Sequence, residues 1–189
     1  LGARGTLHAQ RTAYARLGWL DPDGRLRLAL SGLTNRSEYQ PRSGEWIPEF
    51  DVSLDQLILS GQYTLDAWTF TSELVRRSIR ADPLGQKINQ PQIGYYVQAS
   101  RRFGEAFEAY LRYDALFDDL TDKSGQRQAS VPGTDPSWHH YARDWTAGLG
   151  WQPHRQVLLR AEFHHIDGTN WLPFHDNLPD FALGTDERK

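Results

Sequence analysis

Two pairs of adjacent histidines, His139-His140 and His164-His165, are the residues of this sequence that could hold a metal ion. The second pair lies in a stretch that alternates apolar and polar residues, as a β-strand does. Neighbouring side chains of a strand point to opposite faces, so these two rings are poorly placed to bind one ion. The first pair lies in a polar segment near Asp144, without the ligand spacing of a known metal motif. We therefore predict no metal site and no cofactor.

Catalysis would require a nucleophile with its base, or a pair of carboxylates, brought together on one surface. Ser60 and Ser100 occupy polar positions, but no serine of the sequence lies in a Gly-x-Ser-x-Gly motif. Glu108 and Glu162 could act as a carboxylate pair, yet interleaved arginines such as Arg160 favour ion pairs instead. We predict no catalytic residue and expect that the protein is not an enzyme.

Charged residues recur at every second position of several segments, opposite an apolar face. The set comprises Glu73, Arg77, Arg102, Glu108, Arg112, Asp114, Arg160 and Glu162. In a membrane barrel such a face lines the lumen, where rings of charged side chains set the selectivity of the pore. The four arginines of the set could steer anions. Acidic residues are about as frequent on the same face, so anion selectivity does not follow.

The segments that must position these side chains have the period of two that indicates β-strands. The clearest is a hairpin over residues 92–117 with a tight turn at Gly104-Glu105, in which Phe107 and Phe117 share one face. The pattern predicts eight antiparallel strands in a single, partial β-barrel domain that covers residues 1–189. Their approximate ranges are 9–20, 25–33, 54–65, 67–79, 92–103, 105–117, 143–152 and 155–166.

The connections between the predicted strands alternate between tight turns and long polar loops. Long loops are predicted over residues 35–51, 81–91 and 118–143. Transmembrane barrels have this asymmetry, with short turns on the periplasmic side and longer loops outside. A soluble sandwich has no reason to sort its turns by length. The loop lengths therefore favour an up-and-down transmembrane β-barrel.

Aromatic residues recur near the predicted strand ends, where the interfacial girdles of a membrane barrel lie. The predicted girdle comprises Trp68, Phe103, Phe107, Phe117, Trp145, Trp151 and Phe163. Core or cross-strand packing of the same aromatics is the alternative. The strands are also longer than the usual five or six residues, which again favours a membrane barrel.

The composition agrees with this class without proving it. The chain has 189 residues, a net charge of −3 and no cysteine, so nothing indicates a nucleic-acid partner or a disulfide framework. Its mean hydropathy is −0.66 and no apolar run is long enough for a transmembrane helix. The chain also lacks methionine and a signal region, which indicates either that a leader has been removed or that the chain is a piece of a longer protein, and its C-terminus favours the second.

The segments GYYVQASRRF, FEAYLRYDALFDD and WTAGLGWQPHRQVLLRAEFHHIDGTNW resemble the C-terminal half of Gram-negative porin-like barrels. The family they resemble is that of the phosphate-selective porins O and P, over roughly residues 54–171. The resemblance implies a barrel of about sixteen to eighteen strands in the outer membrane, often trimeric, that passes small polar solutes. Such barrels end in a closing strand with a terminal aromatic, whereas this chain ends in Glu187-Arg188-Lys189. We therefore expect that the closing strand and earlier strands lie outside it.

The function predicted from the sequence is a passive outer-membrane channel for small hydrophilic solutes, anions among them. The expected partners are the lipid bilayer, such solutes and further copies in a homotrimer, with no nucleic acid. A non-conducting structural or binding barrel of the outer membrane is one alternative. A soluble, lipocalin-like binder is the other, since alternation alone does not tell which face meets water.

Overall fold

The structure, a computed structural model, describes residues 5–46, 48–85, 88–130 and 136–172. These residues form one antiparallel sheet of eight strands in up-and-down order, so the predicted all-β fold with eight antiparallel strands is confirmed. The strands are β1 (Thr6–Leu20), β2 (Leu26–Gln40), β3 (Phe50–Leu65), β4 (Trp68–Ala81), β5 (Ile88–Phe103), β6 (Phe107–Phe117), β7 (Tyr141–His154) and β8 (Val157–Asp167). Helical structure within these ranges is limited to 3₁₀ turns at Pro83–Gly85 and Ser137–His140 and one helical turn, α1, at Gln126–Ala129.

Several strands are longer than the sequence predicts, most clearly β2 and β3. The predicted loop over residues 35–51 is in part strand, since Arg36 pairs with Ser53 and Glu38 with Asp51. A β-ladder satisfies the backbone N–H and C=O groups whatever the polarity of the side chains. The polar composition of this stretch therefore concealed a strand pairing that the backbone makes.

The last hairpin corrects a predicted turn. The predicted strand ranges 143–152 and 155–166 leave Pro153-His154 as the turn between them, but β7 continues to His154, which pairs with Val157. The register shifts between Trp151 and His154, and Pro153 lies within that irregularity. Proline has no N–H to donate to a ladder, so a bulge is the position at which a strand tolerates it.

The strands are strongly staggered. One row of paired residues crosses the sheet through Leu20, Arg27, Gln62, Thr71, Gln98, Arg112 and Thr146. Leu20 is the last residue of β1, whereas β7 continues about eight residues beyond Thr146 to its own turn. The tight turns are thus displaced by about 26 Å along the strands over about 29 Å across the sheet. If the turns lie in one plane, the strands are inclined by about 42° to the normal of that plane. Strands of barrels tilt by about 35–45°.

The two faces of the sheet differ in chemistry. The apolar face carries Leu17, Leu57 and Phe163, with exposed fractions of 75%, 52% and 71%. The opposite face, called the polar face below, carries the charged residues of the predicted lumen set. The buried apolar residues of the described chain are few, namely Ala29, Tyr39, Ala115, Phe117 and Ala142. In the part of the chain that the structure describes, most of the apolar face therefore has no second layer against it, and its buried residues Ala115 and Phe117 lie next to the long loop after β6.

The two edge strands have one neighbour each. Among the described residues β1 pairs only with β2 and β8 only with β7, so the sheet is open. Every residue of both edge strands is exposed, on the apolar and the polar face alike. A separate finding concerns helices: within the described ranges none is long and apolar enough to cross a membrane.

Candidate functional site

The register brings the predicted charged set onto one face of the sheet. Arg102 pairs directly with Glu108, and Asp114 pairs with Asp144. Directly paired residues of an antiparallel sheet point to the same side. All eight residues predicted to line a lumen thus share the polar face, spread over β4, β5, β6 and β8.

Arg112 is held on the polar face by an ion pair and an aromatic ring. Its Nε and Nη2 donate to the two carboxylate oxygens of Asp114 at 2.7 and 2.5 Å. Its guanidinium also lies 3.9 Å from the ring centre of Tyr96 on the neighbouring strand. A fork-shaped pair of this kind fixes the cation in both position and direction. Most of the charge of Arg112 is therefore compensated inside the protein.

A tyrosine reaches across β7 to β8 in the same region. Tyr110 of β6 pairs with Gly148 of β7, which pairs with Glu162 of β8. The Tyr110 ring passes over Gly148, where a Cβ atom would lie 2.2 Å from the ring carbons. Its hydroxyl donates to Glu162 Oε1. Gly148 thus leaves the space through which Tyr110 ties three strands together.

Asp144 and His164 form a pair that the sequence did not predict. Asp144 was expected near the His139-His140 pair, but the register places it beside His164, whose Nδ1 lies 2.7 Å from Asp144 Oδ2. Thr146 donates its hydroxyl to the same oxygen at 3.0 Å. His165 points to the apolar face, where it pairs with Trp145. The expectation that the second histidine pair splits between two faces agrees with this placement.

The Asp144 carboxylate is buried, and one of its oxygens lacks a partner. The side chain is 7% exposed. Among the described residues Oδ1 accepts no hydrogen bond, whereas Oδ2 lies within hydrogen-bond distance of both the Thr146 hydroxyl and His164 Nδ1. Burying a carboxylate oxygen without a partner is costly, and this oxygen lies out of reach of solvent.

A chain of polar contacts links the sheet to the segments beyond it. Arg77 donates to Gln92 Oε1 from Nε at 2.8 Å, and Gln92 Nε2 donates to Asp118 at 2.7 Å. Asn170 donates to the same Asp118 oxygen at 3.1 Å. His140 Nδ1 lies 3.5 Å from the other oxygen. Asp118 is buried, and it joins β5 to the segment after β8.

That segment, Gly168 to Leu172, turns back over the polar face and is called the strap here. The N–H of Thr169 donates to the Trp138 carbonyl at 2.8 Å. Gly168 has a φ of +87°, and a Cβ there would lie 2.2 Å from the Tyr141 carbonyl oxygen. Both the left-handed backbone and the close approach require glycine. The strap ends with Trp171 lying against the polar face.

Trp171 separates two cavities on the polar face. The first has a volume of about 250 Å³ and includes Arg77 and Gln92 in its wall. The second, called the acidic pocket below, has a volume of about 370 Å³. Its lining, apart from Trp171, is Gln98, Glu108, Tyr110, Arg112, Asp114, Asp144, Thr146, Arg160, Glu162 and His164. Four carboxylates thus face two arginines and one histidine in a space the size of a small solute.

The predicted girdle aromatics all lie on the apolar face, and most are exposed. Phe107 and Trp151 pair across β6 and β7 with parallel rings 6.0 Å apart. Near the same turns the Arg101 guanidinium lies 5.3 Å from the Trp68 ring centre and 5.1 Å from that of Phe103. At the opposite ends of the strands Trp145 and Phe117 occupy the same face, and Phe163 lies further along β8.

Phe117 differs from the other predicted girdle residues because it is buried. It is 3% exposed, and Lys123 and Arg143 each lie 5.7 Å from its ring centre. The long loop after β6 therefore covers this ring.

An ion-pair cluster bounds the apolar face on the long-loop side. Asp55 lies two residues before the exposed Leu57 and pairs with Arg36 at 3.1 Å. It also pairs with Arg80 and accepts from the Thr34 hydroxyl at 2.7 Å. The sequence did not reveal this cluster, because Arg36 was assigned to a loop.

The loop after β6 is organised by two aspartates. Asp122 accepts from the backbone N–H groups of Arg127 and Gln128 at 2.8 and 3.1 Å, at the start of α1. Asp119 accepts from the backbone N–H and the hydroxyl of Thr121, at 2.7 and 2.8 Å. The Thr121 donors, then the Arg127 guanidinium, hold the pKa of Asp119 below its ordinary value.

No protein-family model, no curated protein and no solved structure matches this chain. The likeness to phosphate-selective porins therefore stays a prediction from the sequence. Within residues 5–46, 48–85, 88–130 and 136–172, no group of three or more His, Asp and Glu side chains could hold a metal ion.

Proposed function

We propose that this chain is part of the wall of an outer-membrane β-barrel that lets small hydrophilic solutes diffuse along its polar face. The observation that carries the proposal is the exposure of the apolar face across all eight strands. The eight strands span about 34 Å across the sheet, and the exposed apolar residues of β3 extend about 26 Å along it, from Leu57 to Leu65, so the apolar face covers roughly 900 Å². The largest exposed apolar patch of a soluble monomer is about 300–600 Å². Lipid is the solvent in which such a face is stable.

The inclination of the strands supports the same proposal. Strands tilted by about 42° would place the tight turns in one plane and the long loops in another, as in a membrane barrel. The aromatic side chains near the turns and the Arg36–Asp55–Arg80 cluster near the loops then bound the apolar band from two sides. Aromatic rings and charged groups are what the two edges of a bilayer accommodate.

The open edges support a larger barrel. Lipid supplies no partners for the unpaired N–H and C=O groups of β1 and β8, so each edge needs a further strand. We propose that additional strands continue the wall on both sides, towards the about sixteen to eighteen that the sequence resemblance implies. A barrel of that size encloses water, and the charged polar face would then line an aqueous channel.

A non-conducting barrel is the second candidate, and the strap favours it. Trp171 lines the acidic pocket, and Asn170 donates to the buried Asp118, so the strap lies across part of the polar face. Were the lumen filled by such segments throughout, the same wall would bind solutes without passing them. The two candidates differ in conductance and share the membrane location.

The test is reconstitution of the full-length protein into planar lipid bilayers. The channel proposal expects stepwise conductance increases, because each inserted barrel opens one aqueous path. Insertion without conductance would overturn the channel and leave the binding barrel. A protein that stays monomeric and soluble without detergent would overturn both, and would favour the soluble binder.

A further inference from the structure

The apolar face has a depression across its first four strands, called the groove below. It has a volume of about 580 Å³ and is lined in part by Ala13, Ala15 and Gly32. These side chains are small, and a Cβ atom at Gly32 would meet nothing within 4 Å. The groove is therefore open on the face that we assign to lipid.

Exposed leucines bound the groove on the side of the tight turns. One row of directly paired residues crosses β1 to β4 there, through Leu17, Leu30, Leu59 and Leu74. Their exposed fractions range from 41% to 75%. An alkyl chain that lies in the groove therefore continues over apolar side chains towards the middle of the sheet.

Arginines bound the groove on the side of the long loops. Arg11 pairs directly with Arg36, and Ser53 pairs with both Arg36 and Arg80. Arg76, on the same face as Arg80, lines the groove itself. Like charges directly opposite one another destabilise a sheet, so this arrangement of arginines calls for an anion.

One carboxylate lies among these four cations. Asp55 forms ion pairs with Arg36 and Arg80. Among the described residues, neither Arg11 nor Arg76 makes an ion pair. Four guanidinium groups against one carboxylate leave a surplus of three positive charges around the outer end of the groove.

Acidic residues begin one row further out on the same face. Glu38 pairs with Asp51 there, and its carboxylate accepts from the Gln10 and Gln40 side-chain amides. The positive surplus is therefore confined to a zone between the leucine row and this acidic row. A ligand that fits has an apolar part and an anionic part at a fixed separation.

That separation matches one leaflet of a bilayer. On β3, Ser53 of the arginine row lies six residues before Leu59 of the leucine row, which is about 20 Å along the strand. With strands inclined by about 42°, about 15 Å of this lies along the membrane normal. Half of the hydrocarbon core of a bilayer is also about 15 Å thick.

We propose that the groove binds an anionic phospholipid, whose acyl chain lies over Gly32 and the leucine row and whose phosphate lies between Arg76 and the Arg36–Asp55–Arg80 cluster. Guanidinium groups hold phosphate by charge-assisted, fork-shaped hydrogen bonds. An unpaired arginine on a lipid-facing surface is costly, and a phosphate within its reach offsets that cost. The inference rests on the proposed membrane location and is independent of conductance.

The experiment measures which lipids the full-length protein retains in detergent, by native mass spectrometry, with two lipids of identical acyl chains. Dioleoyl phosphatidylglycerol has a net negative charge, whereas dioleoyl phosphatidylcholine has a phosphate without net charge. Phosphatidylglycerol is expected to be retained at a several-fold lower concentration than phosphatidylcholine. A large excess of glycerol phosphate, which has no acyl chain, is expected not to displace it.

Two variants separate the headgroup from the groove. Arg76→Gln removes an unpaired guanidinium and is expected to weaken phosphatidylglycerol retention about fivefold, the effect of one basic residue near an anionic lipid surface, with phosphatidylcholine unchanged. Gly32→Val narrows the groove without a clash and is expected to weaken retention of both lipids. Arg27→Gln is the matched control: it removes one positive charge from the polar face of β2 and should leave both lipids unchanged.

The outcomes separate this inference from the channel proposal. Selective retention of phosphatidylglycerol that Arg76→Gln weakens supports the lipid site, whether or not the reconstituted protein conducts. Equal retention of the two lipids, displacement by glycerol phosphate, unchanged retention in Gly32→Val, or equal losses in Arg76→Gln and Arg27→Gln overturns the lipid site and leaves the channel intact. An oligomer that retains no lipid and that Gly32→Val dissociates would assign the groove to a second copy of the chain and overturn the lipid site as well.

Discussion

Gly148 is the residue on which the packing of the acidic pocket depends. The ring of Tyr110 occupies the space that a side chain at this position would fill, and from there its hydroxyl reaches Glu162. Gly148→Val forces the ring aside and leaves the hydrogen bond unmade. Overpacking of this kind costs about 1–3 kcal/mol, so we expect a lower melting temperature in detergent.

Gly32 of β2 provides the control for that variant, because a Cβ there meets nothing within 4 Å. Gly32→Val is expected to leave the melting temperature unchanged or to raise it, since β-branched residues favour strands. Equal melting temperatures for the two variants would show that Tyr110 does not need the space above Gly148.

The same residues show what the alternation of the sequence could and could not predict. Period two assigns each charged residue to a face, and every residue of the predicted set lies on the polar face. Pairing is set by the turn. A turn at Pro153-His154 would pair Asp144 with Phe163. The observed turn and bulge instead pair Thr146 with His164, which places the His164 side chain on the same face as Asp144. The Asp144–His164 contact follows from that register, which the sequence pattern did not specify.

Among the elements, the loop between β6 and β7 has a pH-dependent anchor at Asp119. The Thr121 donors and Arg127 stabilise its carboxylate in the folded loop and lower its pKa. The stabilisation is therefore fully present above the ordinary aspartate pKa and is lost as the pH falls through the lowered value. We expect the Thr121 amide to exchange with solvent faster, relative to free peptide, over that acidic interval.

Hydrogen exchange measured across the acidic range by mass spectrometry checks this expectation. The Asp119→Asn protein is the control, because its side chain does not titrate and its Thr121 exchange should show no such step. A step of equal size in both proteins would place the titrating group elsewhere.

The elements also differ in how far the sequence predicts them. The hairpins near the tight turns follow from alternation together with turn residues, both of which are local. The strap is not local: Asn170 contacts Asp118, which lies 52 residues earlier in the chain. Contacts at that separation depend on the completed sheet, so alternation within a segment carries no sign of them.

At the scale of the whole molecule, the question is which solvent meets each face. Leu59 and Ser60 are neighbours on β3, at the same depth and on opposite faces. Because the chain has no cysteine, Leu59→Cys and Ser60→Cys can each carry a single spin label after reconstitution in lipid vesicles. A membrane barrel predicts that the label at 59 collides mainly with dissolved oxygen, which concentrates in lipid, and the label at 60 mainly with a water-soluble nickel complex. Each preference should be several-fold.

A label at Ser53, on the same face as Leu59 but beside the Arg36–Asp55–Arg80 cluster, tests the edge of the band. It is expected to lose the preference for oxygen, because the charged cluster lies where hydrocarbon gives way to water. In a soluble barrel the apolar face would pack inward, and the label at 59 would be shielded from both reagents. That result would overturn the membrane proposal while leaving the eight-stranded sheet intact, whereas oxygen preference at 59 with nickel preference at 60 and 53 would establish both the lipid-facing band and its edge on the long-loop side.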